Sequence, residues 1–320
     1  MWQPNECIIQ LKSGKLLRFA GPFIEYESID IPCLLLKNLD DFKLRILKPS
    51  VIEECSLTRF KEPVFLNLQS EESFESYKSR FAVISKELKW GRLSKAVIAT
   101  EKIFQASTLP RLNYINTNDD RIIFSIQNND LVFFGATPDE FLEISKDHIF
   151  TLYSVAGTSL TSSVDKLENE VSVSSMMNEL KKFGINSIEI TQSVARSGEL
   201  YHVKSMLKFR ANLSLLSSLI DATYPPSTVF GYPIKSALRN KQFLMPPSGY
   251  GYYGSLVGFL GEFDDGLLFR SICLIRGLEV KNHLVRVIAG SGIIKNRSAE
   301  QEFEECQLKL KSILESIGAS

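Results

Sequence analysis

Apolar residues recur along this chain in two rhythms. Short runs rich in Val, Ile and Phe, each closed by turn residues, read as strands: CIIQL (7–11), KAVIATEKIF (95–104), RIIFSIQ (121–127), LVFFGA (131–136), LLFRSICLI (267–275) and HLVRVIAG (283–290). Longer stretches carry apolar positions at helical spacing and predict helices over 70–91, 172–184, 210–221 and 298–318. The first opens with Ser70 and a first-turn glutamate and stops at Gly91; the second stops at Gly184. Strands and helices mix without strict alternation. In the second half, successive runs read as hairpins joined at Asp264-Asp265-Gly266 and Lys281-Asn282. The pattern predicts an α+β fold in which helices pack outside antiparallel sheets.

Composition narrows the class. The 320 residues carry 37 basic and 37 acidic side chains, a net charge of zero, which argues against a nucleic-acid partner. The five cysteines, Cys7, Cys33, Cys55, Cys273 and Cys306, form no CxxC pair and no disulfide framework. Cys7, Cys33 and Cys273 sit among apolar neighbours and read as small core residues. No apolar run approaches the ~20 residues that cross a bilayer, and MWQPNECIIQLKSGK lacks the layout of a secretory leader. A cytoplasmic protein without membrane contact is the expectation.

The chemistry concentrates in AGSGIIKNRSAEQEFEECQLKLKSIL, residues 289–314. On a helix, Glu302 and Glu305 share a face, and Lys309 lies one turn beyond Glu305. One reading is a solvated face with a single Glu–Lys pair, worth a few tenths of a kcal/mol. The other is a grip on a hard divalent cation, with the amides of the Gly290-Ser291-Gly292 turn binding an anion. The chain has three histidines, His148, His202 and His283, far apart in sequence, so oxygen ligands and Mg²⁺ are favoured over a His-rich metal site.

This segment resembles the C-terminal signature of the chorismate-utilising enzymes. Further segments follow in the family's order: LSKAVIATEKIF (93–104), FFGATPDEFLEI (133–144), SVAGTSL (154–160), DKLENEV (165–171), LYHVKS (200–205), YPPSTVFGYP (224–233), YYGSLVG (252–258) and LFRSI (268–272). The resemblance implies one chorismate-binding domain over 1–320, built of two stacked antiparallel β-sheets with helices outside. Residues 90–320 would form the family core, and residues 1–70 would complete a sheet. It implies Mg²⁺ held by Glu168, Glu302 and Glu305. The substrate's ring carboxylate would touch Gly290, Ser291 and Gly292. Arg270, Tyr253 and Lys309 would meet the second carboxylate, and Ala156, Gly157, Thr158 and His202 would line the substrate site.

Lys95 stands where the ammonia-using members carry Gln, and a lysine there implies a base that activates water. Asp139 stands at the position of the general acid, one methylene shorter than the family's Glu. Ala156-Gly157-Thr158 departs from the aminodeoxychorismate synthase pattern. The resemblance therefore implies an isochorismate synthase, an isomerase serving menaquinone or siderophore synthesis. Salicylate, anthranilate and aminodeoxychorismate synthase-like enzymes are the alternatives within the fold. Thr100, Asp139, Tyr224 and Tyr250 depart from the family and leave open a non-catalytic chorismate-binding protein. Nothing marks an ammonia-delivering partner subunit, and a monomer is expected.

Overall fold

The computed structural model describes residues 4–27, 29, 32–57, 64–115, 120–156, 163–197, 200–262 and 266–319, except the side chains at 163–165, 197, 200 and 201. Its strands form two antiparallel sheets, of ten and nine strands. From one edge, the first sheet runs Gly231–Tyr232, Lys95–Ala106, Leu284–Ile293, Gly277–Lys281, Leu131–Thr137, Ile122–Asn128, Glu6–Gln10, Leu16–Ala20 and Val51–Cys55. Leu66–Glu71 also pairs with Lys95–Ala106. The second runs Glu189–Ser197, Leu200–Arg210, Ile149–Ala156, Glu140–Ser145, Leu267–Cys273, Leu256–Leu260, Cys33–Lys37, Leu44–Lys48 and Ile24–Tyr26.

Alternation along the strands stacks these sheets. Phe124, Phe133 and Ile288 of the first sheet share one core with Leu34, Leu35, Phe141 and Phe259 of the second. Their neighbours Ile123, Phe134, Val287 and Ala289 turn to the opposite face, where Leu310 and Ile313 of the last helix, and Ile317 just past its end, cover them. This is the α+β architecture of paired sheets with helices outside. Among the described residues, no helix is long and apolar enough to cross a membrane.

The local signals act as physics requires. The first helix starts later than expected: Ser70 belongs to the strand Leu66–Glu71, and Ser73 caps the helix Phe74–Lys89 by accepting from the Ser76 amide, while Gly91 takes the left-handed φ of 70° just past its end. The helix expected over 172–184 extends back to Ser163. The one expected over 210–221 breaks into a 3₁₀ turn, Leu213–Leu215, and a helix, Leu216–Thr223. Asn212 sets where the segment starts: its side chain accepts from the Ser214 amide and caps the 3₁₀ turn. Asn282 and His283 both adopt positive φ at the hairpin between Gly277–Lys281 and Leu284–Ile293, as a tight hairpin turn demands. Of the other expected hairpin, Asp264 and Asp265 lie outside the described residues.

Candidate active site

Two chain crossings make the site. Leu131–Thr137 belongs to the first sheet and Glu140–Ser145 to the second, so Pro138-Asp139 passes between them. Leu267–Cys273 belongs to the second and Gly277–Lys281 to the first, so Arg276 lies on the return crossing, with φ 56°. Asp139 and Arg276 face one cleft. The first sheet adds Val97, Gly290 and Gly292 to its wall, and the second adds Ala156 and His202. Tyr253 enters from a turn, Glu168 from the helix Ser163–Lys182, and Glu305 and Lys309 from the helix Ala299–Ser316.

The two glycines are there because side chains occupy the space a Cβ would need. A Cβ at Gly292 would lie 2.4 Å from Glu168 Oε1 and 3.2 Å from Lys95 Cε. At Gly290 it would lie 2.8 Å from the Tyr253 hydroxyl. Lys95 is fully buried behind this wall; its Nζ donates to Ser172 Oγ at 2.9 Å and pairs with Glu168 Oε1 at 2.8 Å. Lys309 Nζ donates to the Gly290 carbonyl at 2.8 Å and pairs with Glu305 at 2.7 Å. Arg276 Nη2 lies 3.4 Å from His202 Nε2.

Burial pushes the Asp139 carboxyl up to about 7, against the pull of Arg276, Lys309 and Lys95. An acid so placed holds its proton near neutrality. Burial, with the charge of Glu305 added, pushes Glu302 up to about 7 as well. Burial also works to raise Glu305, but Lys309 and Arg297 outweigh it and hold that carboxyl at about 2. Burial raises the Tyr253 phenol, which therefore stays an O–H donor.

Most of the expected residues converge here. Ser291 and Glu302 lie just behind the cleft wall, where the Ser291 hydroxyl donates to Glu302 Oε2. Gly157 and Thr158 lie outside the described residues. Arg270 goes elsewhere. It sits in the second sheet and pairs with Glu140 at 3.0 Å and Glu143 at 3.4 Å, in a separate charged cluster with Lys12 and Lys204. The buried arginine of the cleft is Arg276, six residues on. Only the register of the Gly277–Lys281 hairpin, which brings Arg276 to the same cleft as Gly290, could have flagged that arginine in the sequence. Gly290-Ser291-Gly292, expected as a turn, runs instead within the strand Leu284–Ile293, paired with residues 97–99, because both glycines keep extended backbone. Ser172, the partner of Lys95, carries no sequence signal of its own. Tyr224 and Tyr250 are core residues: the Tyr224 hydroxyl donates to the Gly254 carbonyl, and Tyr250 stacks on Tyr253 with ring centroids 6.4 Å apart.

The three carboxylates bear on a metal. Among the described residues, no three acidic, His or Cys groups converge tightly enough to hold an ion as they stand. Each carboxylate already faces a cation: Glu168 faces Lys95, Glu305 faces Lys309, and Glu302 Oε1 lies 3.0 Å from Arg297 Nε. Yet neither that Oε1 nor that Nε finds a hydrogen-bond partner, so the contact is an ion pair with misdirected geometry. A fully buried carboxylate oxygen without a hydrogen bond fits a hard, oxygen-seeking cation.

A match to the chorismate binding enzyme family spans residues 26–315, and the chain belongs to that family. It is 25% identical over 306 residues to the vibriobactin-specific isochorismate synthase of Vibrio cholerae, covering 86% of this chain and 76% of that protein. It is 24% identical over 229 residues to anthranilate synthase component 1 of Bacillus pumilus, covering 64% of this chain and 43% of that protein. The chain thus spans under half the length of that relative. The fold matches MenF, the menaquinone-specific isochorismate synthase of Escherichia coli, with a TM-score of 0.76 and 15% identity over 97% of this chain and 88% of MenF.

Proposed function

We infer that this protein is an isochorismate synthase: it adds water at ring C2 of chorismate and expels the C4 hydroxyl. The observation that carries this reading is a cleft that holds the buried carboxyl of Asp139, with Lys95 held just behind its wall by Ser172 and Glu168. The lysine is near enough for its charge to act on that carboxyl, which holds a proton near neutrality. Lys95 takes a proton from the attacking water, and the new C2–O bond forms as both ring double bonds shift toward C4. Asp139 gives its proton to the departing C4 oxygen, which leaves as water. In the present arrangement Lys95 Nζ donates to Ser172 and pairs with Glu168, so the base role requires it to turn from Glu168 toward the water.

Arg276 and Tyr253 hold the second carboxylate of chorismate, in the place expected of Arg270, with Lys309 nearby. The Gly290-Ser291-Gly292 amides and His202 position the ring. Mg²⁺, held by Glu168, Glu302 and Glu305, would draw charge from the ring carboxylate. The isochorismate relative and the MenF fold match support this choice within the family. The enzyme acts as a single cytoplasmic chain, with isochorismate feeding menaquinone or siderophore synthesis. Incubating purified protein with chorismate and Mg²⁺, then resolving products by chromatography, tests the assignment. Isochorismate is the expected product. Salicylate or pyruvate would make the protein a lyase relative, and chorismate binding without turnover would make it a binding protein.

A further inference from the structure

We propose that Arg297 is a built-in counter-cation of this site, one that a divalent metal must displace in order to bind. The proposal rests on the reading of Glu168, Glu302 and Glu305 as metal ligands. Arg297 lies on the turn between the strand Leu284–Ile293 and the helix Ala299–Ser316. Its neighbours Lys295 and Asn296 are exposed, and Asn296 takes φ 72°. From this surface turn the side chain, 17% exposed, reaches inward. Its Nε lies 3.0 Å from Glu302 Oε1 and its Nη2 4.0 Å from Glu168 Oε2. The guanidinium therefore stands between a carboxylate of the last helix and one of the long helix, the position a cation shared by the two would take.

Arg297 supplies charge there without completing the coordination. Neither its Nε nor Glu302 Oε1 has a hydrogen-bond partner. An aligned guanidinium–carboxylate pair would have gained two parallel hydrogen bonds. A small dication offers twice the charge at a point and accepts oxygen ligands from several directions. Arginine keeps its proton at any working pH, so it yields the site only by moving. Its place on an exposed turn gives it a direction in which to move. The cost of displacing it sets the resting affinity for metal below what the three carboxylates would give alone.

Calorimetric titration of Mg²⁺ into the full chain without chorismate tests this, comparing wild type with Arg297→Ser, Arg297→Gln and Arg297→Lys. The two neutral variants should bind Mg²⁺ about tenfold more tightly or better, and the Lys variant should stay near wild type. Equal or weaker Mg²⁺ binding in the neutral variants overturns the proposal and leaves the metal reading standing. A Lys variant as tight as the neutral ones also overturns it, because charge would then not be the competitor. Absence of Mg²⁺ binding in every protein, with chorismate or without, overturns the metal reading together with the proposal. Should the neutral variants fail to fold, the arginine Nε–H resonances of the wild type serve instead. The Arg297 signal should shift to a solvent-exposed position at saturating Mg²⁺, and an unmoved signal overturns the proposal.

Discussion

Asp139→Asn removes one buried acid, and with it a pH dependence of folding whose size follows from the site. In the unfolded chain this carboxyl titrates near 3.8, and in the folded protein burial moves it to about 7. The folded pKa is the higher one, so the folded state keeps a proton that the unfolded state has lost. Stability therefore falls as pH rises from about 4 to about 7 and is level above that. At 1.36 kcal/mol per pKa unit, the loss is about 4 kcal/mol in all, of which about 3 kcal/mol falls between pH 5 and 8. An amide carries no such proton. Whatever the substitution does to packing, or to the charge of Arg276, enters almost equally at each pH. Other shifted acids, Glu302 and Glu279 among them, remain in both proteins and cancel in the difference. Urea unfolding at pH 5, 6, 7 and 8 should thus show the wild type losing about 3 kcal/mol relative to the variant across the series. Parallel curves for the two proteins would refute the claim that Asp139 is protonated because it is buried, and with it the acid role. Turnover should decline in the wild type as pH rises through about 7.

Arg276→Leu should weaken chorismate binding by about a hundredfold in calorimetric titration, since a buried charge-assisted contact to a carboxylate is worth roughly 2–3 kcal/mol. Arg270→Met should leave that affinity within about threefold, because Arg270 pairs with Glu140 and Glu143 outside the cleft. Lys95→Gln should abolish hydration while chorismate binding persists; unchanged turnover would remove Lys95 as the base. Gly292→Ala should lower kcat by about tenfold or more with a small change in melting temperature, because the added methyl would press on Glu168 and Lys95 within the site.

The strands of the C-terminal half, the start of the last helix at Ser298 and a hairpin turn at Asn282 were legible because each rests on a few neighbouring residues, whereas the first helix, expected to open at Ser70, starts behind Ser73. The spacing of Glu302, Glu305 and Lys309 was legible for the same reason: a helix turns 100° per residue whatever surrounds it. Glu168 and Lys95, carried by resemblance alone, came to rest 2.8 Å apart. The misplacement of Arg270 has an equally definite cause. Arg270 and Arg276 share one apolar run, FRSICLIR, and alternation within a run identifies a face without identifying the sheet.

The amino-acid sequence alone determined the periodicities, the hairpin turn chemistry and the cluster of acids on the last helix, since these depend on contacts a few residues apart. Only the tertiary structure decided that Asp139 and Arg276 ride the two passages between sheets, that Ser172 meets Lys95, and that Arg297 reaches Glu302 and Glu168. Those contacts join segments up to more than a hundred residues apart. Their geometry comes from how two twisted sheets and their covering helices pack, which no local pattern along the chain encodes.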